Sequence, residues 1–215
     1  SRLNAGRLED VYGRDRVVHE YLQNVEPTRR ILWSDTGRDL REYGFNMSAL
    51  VCLGCRMAMH AHAIIHCLEN GIPYLVDGSI ADQSTVPEQL PSVLQRHRAY
   101  YLEEFGIHHR SPIYDESRSD NRLAQLGIEG QKNLKRQFIL FETQGTCPFG
   151  VTADVYGRMF YRLMPGTRER ESEQYCKEKY PLLRQVVHDH FSSRGQVVAD
   201  LVQQLRDKVS NDVQI

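Results

Sequence analysis

Residues 51–84, VCLGCRMAMHAHAIIHCLENGIPYLVDGSIADQS, hold three of the chain's five cysteines and three of its nine histidines. Thiolates and imidazoles bind transition metals and do redox chemistry near neutral pH. Cys52 and Cys55 stand in Cys-x-x-Cys spacing, which suits three chemistries. A thioredoxin-like pair follows a strand and uses a helix N-terminus to lower the first thiol's pKa. The preceding residues, REYGFNMSALV, read as a loop, which weighs against that. A four-ligand zinc site needs a second close pair. Cys67 with His62 or His66 offers one, but all three fall on one predicted helix among apolar residues. No glutamate follows His62, so the zinc-protease pattern is absent. The third chemistry needs one more thiolate from far along the chain. Cys147 sits in ETQGTCPFGV, a loop flanked by glycine and proline that can present a thiolate outward. Three cysteines can hold a [4Fe-4S] cubane at three corners and leave the fourth iron open to a sulfide or a substrate atom. An ordinary loop cysteine fits position 147 as well. Cys67 and Cys176 lie in helical runs and read as small packed residues.

The elements that would position these side chains follow from periodicity. Residues 7–24 place Leu8, Val11, Val18, Tyr21 and Leu22 on one side of a helix that Pro27 stops. RRILWSD reads as a short buried strand, Ile31 to Ser34, ending in the polar turn SDTGRD. Residues 56–70 form a second helix, closed by Asn70-Gly71. IPYLVDGS is a second strand. PSVLQRHRAYYLEEFGI is a third helix, and HRSPIYDES a short extended piece. DNRLAQLGI reads as helical and QFILFETQG as extended. Residues 168–208 are mostly helical, with breaks near Pro181 and Gly195. Strand alternating with helix predicts an α/β layer with a parallel sheet over 1–160, followed by a C-terminal helical region over 161–215. The loops 34–39 and 77–84 would then lie at the carboxyl ends of strands, the ligand edge of such sheets.

Composition narrows the function classes. With 215 residues the chain holds one large domain or one domain and a small appendage. A net charge of −1 argues against a surface built wholly for nucleic acid. The local runs with Arg96, Arg98, Lys132, Lys135 and Arg136 could track phosphates or simply be solvated helix faces. His108-His109-Arg110 is similarly two-sided. Apolar runs are short, so no membrane span is expected. The N-terminal residues lack a secretory h-region. An odd number of cysteines at uneven spacing speaks for reduced thiols or metal ligands and a cytoplasmic protein.

VCLGC before a helix, then GIPYLVDGSIADQS, RSPIYDE, LGI and GTCPFGV, together resemble the PP-loop ATP pyrophosphatase superfamily (adenine nucleotide alpha hydrolase-like). Within it the likeness is to ATP-dependent sulfurtransferases of the nickel-pincer sulfur-insertion and tRNA-thiolation types. It covers residues 30–152. The resemblance implies a doubly wound, mostly parallel α/β domain that binds ATP at the strand carboxyl ends, and a substrate adenylylated by ATP with Mg²⁺ and loss of pyrophosphate, then sulfur delivered to the activated carbon. The cluster ligands would be Cys52, Cys55 and Cys147. Asp77, Gly78, Ser79 and Asp82 would lie beside the nucleotide. Asp82 would hold Mg²⁺ or a ribose hydroxyl, or else cap a helix. Asp35 and Thr36 would take adenine or ribose, or else form a plain turn. The implied acceptor is a small molecule or a tRNA, and the donor a sulfide or persulfide. A homo-oligomer stays open. The family's Ser-Gly-Gly-x-Asp-Ser phosphate loop is not in these residues and is expected to precede Ser1. The alternative is an interaction module, stabilised by zinc or a cluster, that lacks ATP chemistry.

Overall fold

The computed structural model describes residues 2–18, 25–81, 86–115 and 167–212. The chain divides into two compact units, Ser1–Gln23 with Glu116–Cys147 and Asn24–Asp115 with Pro148–Ile215. In the first, helix α1 spans Arg2–Tyr12. It ends earlier than the expected 7–24 helix because Gly13 takes φ 91°, a left-handed conformation that glycine adopts without a Cβ penalty.

The second unit runs α2 (Val25–Thr28), a π-helical turn (Arg29–Trp33), α3 (Thr36–Tyr43), α4 (Met47–Asn70), β1 (Tyr74–Val76), α5 (Pro91–Phe105), β2 (His108–Arg110), α6 (Thr167–Ser192) and α7 (Val198–Asp212). Helix α4 organises it. Its apolar residues run almost all round, so it is buried by neighbours on several sides, with Leu50, Leu53, Met57, Ala61 and Ile64 fully inside. Leu50–Asn70 has mean hydropathy 1.3 and is long and apolar enough to cross a membrane by composition, yet here it is the core helix. Gly71 at φ 61° closes it, its amide bonded to the carbonyl of Cys67. Helix α5 opens with Pro91 in its first turn and closes on Gly106 at φ 67°. Both helix ends stand where the sequence predicts them.

The expected doubly wound, mostly parallel sheet is not the fold. Among the described residues helix predominates, and the sheet consists of β1 and β2, three residues each, paired in parallel through the α5 crossover. The register sets Tyr74 against His108, Leu75 against His109 and Val76 against Arg110. The predicted strand at Ile31–Ser34 is helical instead. Pro27, Ile31 and Leu32 are all buried, which a helical face allows. A strand would send Ile31 and Leu32 to opposite sides. Hence no strand ends at 34–39, and Thr36–Asp39 form the first turn of α3 in place of a loop at a sheet edge. REYGFNMSALV, expected as a loop, is helical over most of its length. Helix α6 also runs through Pro181 without a break. The proline is exposed, so the carbonyl it leaves unpaired faces water, and buried Tyr175, Cys176, Tyr180, Leu183, Val187 and Phe191 hold the helix on both sides.

Helix α4 and Tyr175 of α6 approach closely at Gly54. A Cβ there would lie 2.5 Å from the Tyr175 hydroxyl and 2.7 Å from Leu32 Cδ1. Alanine is better than glycine in a helix by about 1 kcal/mol. Overpacking costs about 1–3 kcal/mol and should win. Gly54→Ala is therefore expected to lower the urea midpoint, and a raised midpoint would contradict this packing.

Candidate functional site

Cys52, Arg56 and His60 recur at intervals of four along α4, which puts them on one stripe. Arg56, in the middle, reaches the loop after β1. Its Nη2 donates to Ser79 Oγ at 2.5 Å and is ion-paired with Asp77 Oδ2. Asp77 is placed by the sheet, because its amide extends the strand pairing to the Arg110 carbonyl at 3.0 Å. Its Oδ1 accepts the Ser79 amide at 3.0 Å, a side-chain-to-backbone turn typical of aspartate. From β2, His109 Nε2 stands 2.7 Å from Asp77 Oδ2. An ionised carboxylate only accepts, so Nε2 carries a proton.

Around this pair three more rings close the cluster. His97 and Tyr101, four apart on α5, stack with centroids 5.3 Å apart. The His60 ring lies 5.2 Å from that of His109 and 5.6 Å from that of His97. His60 Nδ1 meets the Tyr101 hydroxyl at 2.9 Å, and His97 Nδ1 meets the Tyr180 hydroxyl at 2.9 Å. The far nitrogens, His97 Nε2 and His109 Nδ1, are buried with no protein partner.

The electrostatics follow from burial and from Arg56. Burial alone would raise the Asp77 carboxyl. The His109 hydrogen bond and the Arg56 charge overcome it and hold the group well below the usual carboxylate range. Burial pushes His97 down to about 3, helped by the charges of His109 and Arg56. Burial likewise carries His60 well below its ordinary value, with His97 and Arg56 adding to the shift. At neutral pH these two imidazoles are neutral and offer lone pairs, beside an ionised carboxylate. His60, Asp77 and His109 present ligand atoms that all lie within 4.8 Å of one another. That donor set can hold a divalent transition metal.

The residues singled out in the sequence are distributed as follows. Asp77 and Ser79 meet in the cluster and face inward, while Gly78 is exposed. Cys52 and Cys55 are partly exposed on α4, with Cys55 packed against the core. Asp82 and Cys147 lie outside the described residues. Asp35 and Thr36 belong to another group. Thr36 donates to the Trp33 carbonyl at 2.9 Å. Asp35 lies 3.2 Å from Arg38 and 4.0 Å from Lys179. Burial raises the thiols of Cys67 to about 11 and Cys176 to about 12, as suits packed residues.

Sequence reasoning missed Arg56, His60, His97 and Tyr101, and left His109 undecided. A signal existed. Arg56 and His60 on α4, and His97 and Tyr101 on α5, are polar pairs spaced by four, so each pair shares one face of its helix. No family model, curated protein or solved structure matches this chain.

Proposed function

We propose that the chain acts in ATP-dependent sulfur transfer. An acceptor is activated by adenylylation, pyrophosphate leaves, and sulfur then displaces AMP. The observation that carries this reading is the position of the thiols. Cys52 and Cys55 stand one helical turn apart on α4, at the turn from which Arg56 reaches the Asp77–Ser79 loop. That loop leaves the carboxyl end of a parallel strand, the edge at which ligands bind in strand–helix–strand units. In this reading Cys52, Cys55 and Cys147 hold a [4Fe-4S] cluster, which supplies an open iron for sulfur when bound. Asp77, Gly78 and Ser79 border the ATP and Mg²⁺ site.

A second reading has its own observation. The Asp77 carboxylate and the Ser79 hydroxyl are already engaged by Arg56 and His109, as in a purely structural network. That favours an interaction module stabilised by zinc or a cluster, without ATP chemistry.

Anaerobic purification separates the two. The enzyme reading expects equal iron and acid-labile sulfide, lost in Cys52→Ser and Cys55→Ser and kept in Cys176→Ser. It also expects ATP–pyrophosphate exchange with the correct acceptor. Zinc without iron would sink the cluster, and a retained cluster with no nucleotide binding by calorimetry would leave the module.

A further inference from the structure

We infer that His60, Asp77 and His109 form a divalent transition-metal site separate from the thiols. The three come from three elements, α4, the end of β1 and β2, so the fold rather than local sequence assembles them. Their ligand atoms lie within 4.8 Å of one another. Bond lengths to zinc of about 2.0–2.2 Å need ligand atoms roughly 3.5 Å apart, so the three side chains draw together when a metal binds. Two nitrogens and one oxygen suit zinc or cobalt far better than magnesium or calcium.

The surroundings match what a metal site requires of its second layer. The Tyr101 hydroxyl holds His60 Nδ1 and leaves Nε2 for the metal. Arg56 and the Ser79 amide orient the Asp77 carboxylate. His109 carries the independent observation. Its Nδ1 is buried and has no protein partner. A buried ring nitrogen without a partner is unusual in a folded protein, and coordination of the ring to a metal accounts for it. The fourth position is left to water, and His97 Nε2 in the same cluster is equally without a protein partner.

The test uses cobalt(II) added to chelator-treated protein carrying Cys52→Ser and Cys55→Ser. One equivalent should give the visible d–d bands of a four-coordinate site without a thiolate-to-cobalt charge-transfer band, and zinc(II) should displace it. His109→Gln should abolish the bands, while His62→Gln should keep them. Tyr101→Phe removes a single hydroxyl that orients His60, so it guards against a folding failure in His109→Gln. It should weaken cobalt binding about tenfold or more. Absence of the bands in the thiol-depleted protein, their survival in folded His109→Gln, or unchanged affinity in Tyr101→Phe would each overturn the site.

Discussion

Lys179→Met should destabilise the protein by about 3 kcal/mol or more, near the lower end of what breaking a buried ion pair costs. Lys179 on α6 and Asp39 on α3 expose no side-chain surface, and Nζ donates to Asp39 Oδ2 at 2.6 Å. Nζ also lies 5.2 Å from the centre of the Tyr175 ring, a cation–π contact that methionine loses. Removing the ammonium leaves a buried carboxylate whose remaining partner is Arg38, 3.5 Å away and half exposed. That residual contact explains the placement at the low end. Lys179→Met with Asp39→Leu should recover most of the loss, because the second substitution removes the stranded charge along with its desolvation penalty. Equilibrium urea unfolding of wild type, both singles and the double decides it. A single variant within about 1 kcal/mol of wild type would show that the pair is not buried in solution.

Arg56→Leu should be of similar size, about 3 kcal/mol at neutral pH, because it removes the guanidinium paired with the largely buried Asp77 carboxylate. The leucine keeps the aliphatic packing on α4, so the lost charge dominates. The pH dependence gives a second readout. Asp77 is held below its unfolded value of about 3.9, so its contribution is fully present above that pH and drains away as pH falls through the folded value. Wild type should thus lose about 1 kcal/mol of this contribution between pH 7 and pH 3. The variant lacks much of the depression and has less to lose, so the gap between the two should narrow by up to about 1 kcal/mol at pH 3. A gap that stays constant with pH would mean that Arg56 acts through packing and not through Asp77.

Much of the helical framework was legible because it is set by neighbours in sequence. Gly71 and Gly106 end α4 and α5 by taking left-handed conformations, and Pro91 starts α5 where no amide is needed. Cys67 and Cys176 read as packed residues because helical spacing alone puts them among apolar side chains. The Ile31–Ser34 segment was misread for an equally clear reason. A short apolar run has too few residues for its period to separate strand from helix. Leu32 lies against Gly54, which has no Cβ to exclude it, and that contact belongs to the fold rather than to the run itself. With that strand removed, the alternation that pointed to an α/β layer no longer holds. Pro181 was misread because a proline's effect on a helix depends on which side its unpaired carbonyl faces.

The sequence by itself determined that residues 56–70 are helical, that Gly71 and Gly106 end α4 and α5, and that α5 starts at Pro91, features whose determinants lie within a few residues of one another; it put Cys52 and Cys55 before the helix, whereas α4 begins at Met47 and carries both. It also placed Asp77 and Ser79 just after a strand. Only the tertiary structure decided that Arg56 and His60 of α4, Asp77 after β1, His97 and Tyr101 of α5 and His109 of β2 share one buried cluster. Each of those polar residues, taken alone on its own element, is an ordinary surface or capping residue. They become a site because the parallel pairing of β1 and β2 and the packing of α4 and α5 remove water from between them. Without water, a polar group must find its partners among the residues that the fold brings close.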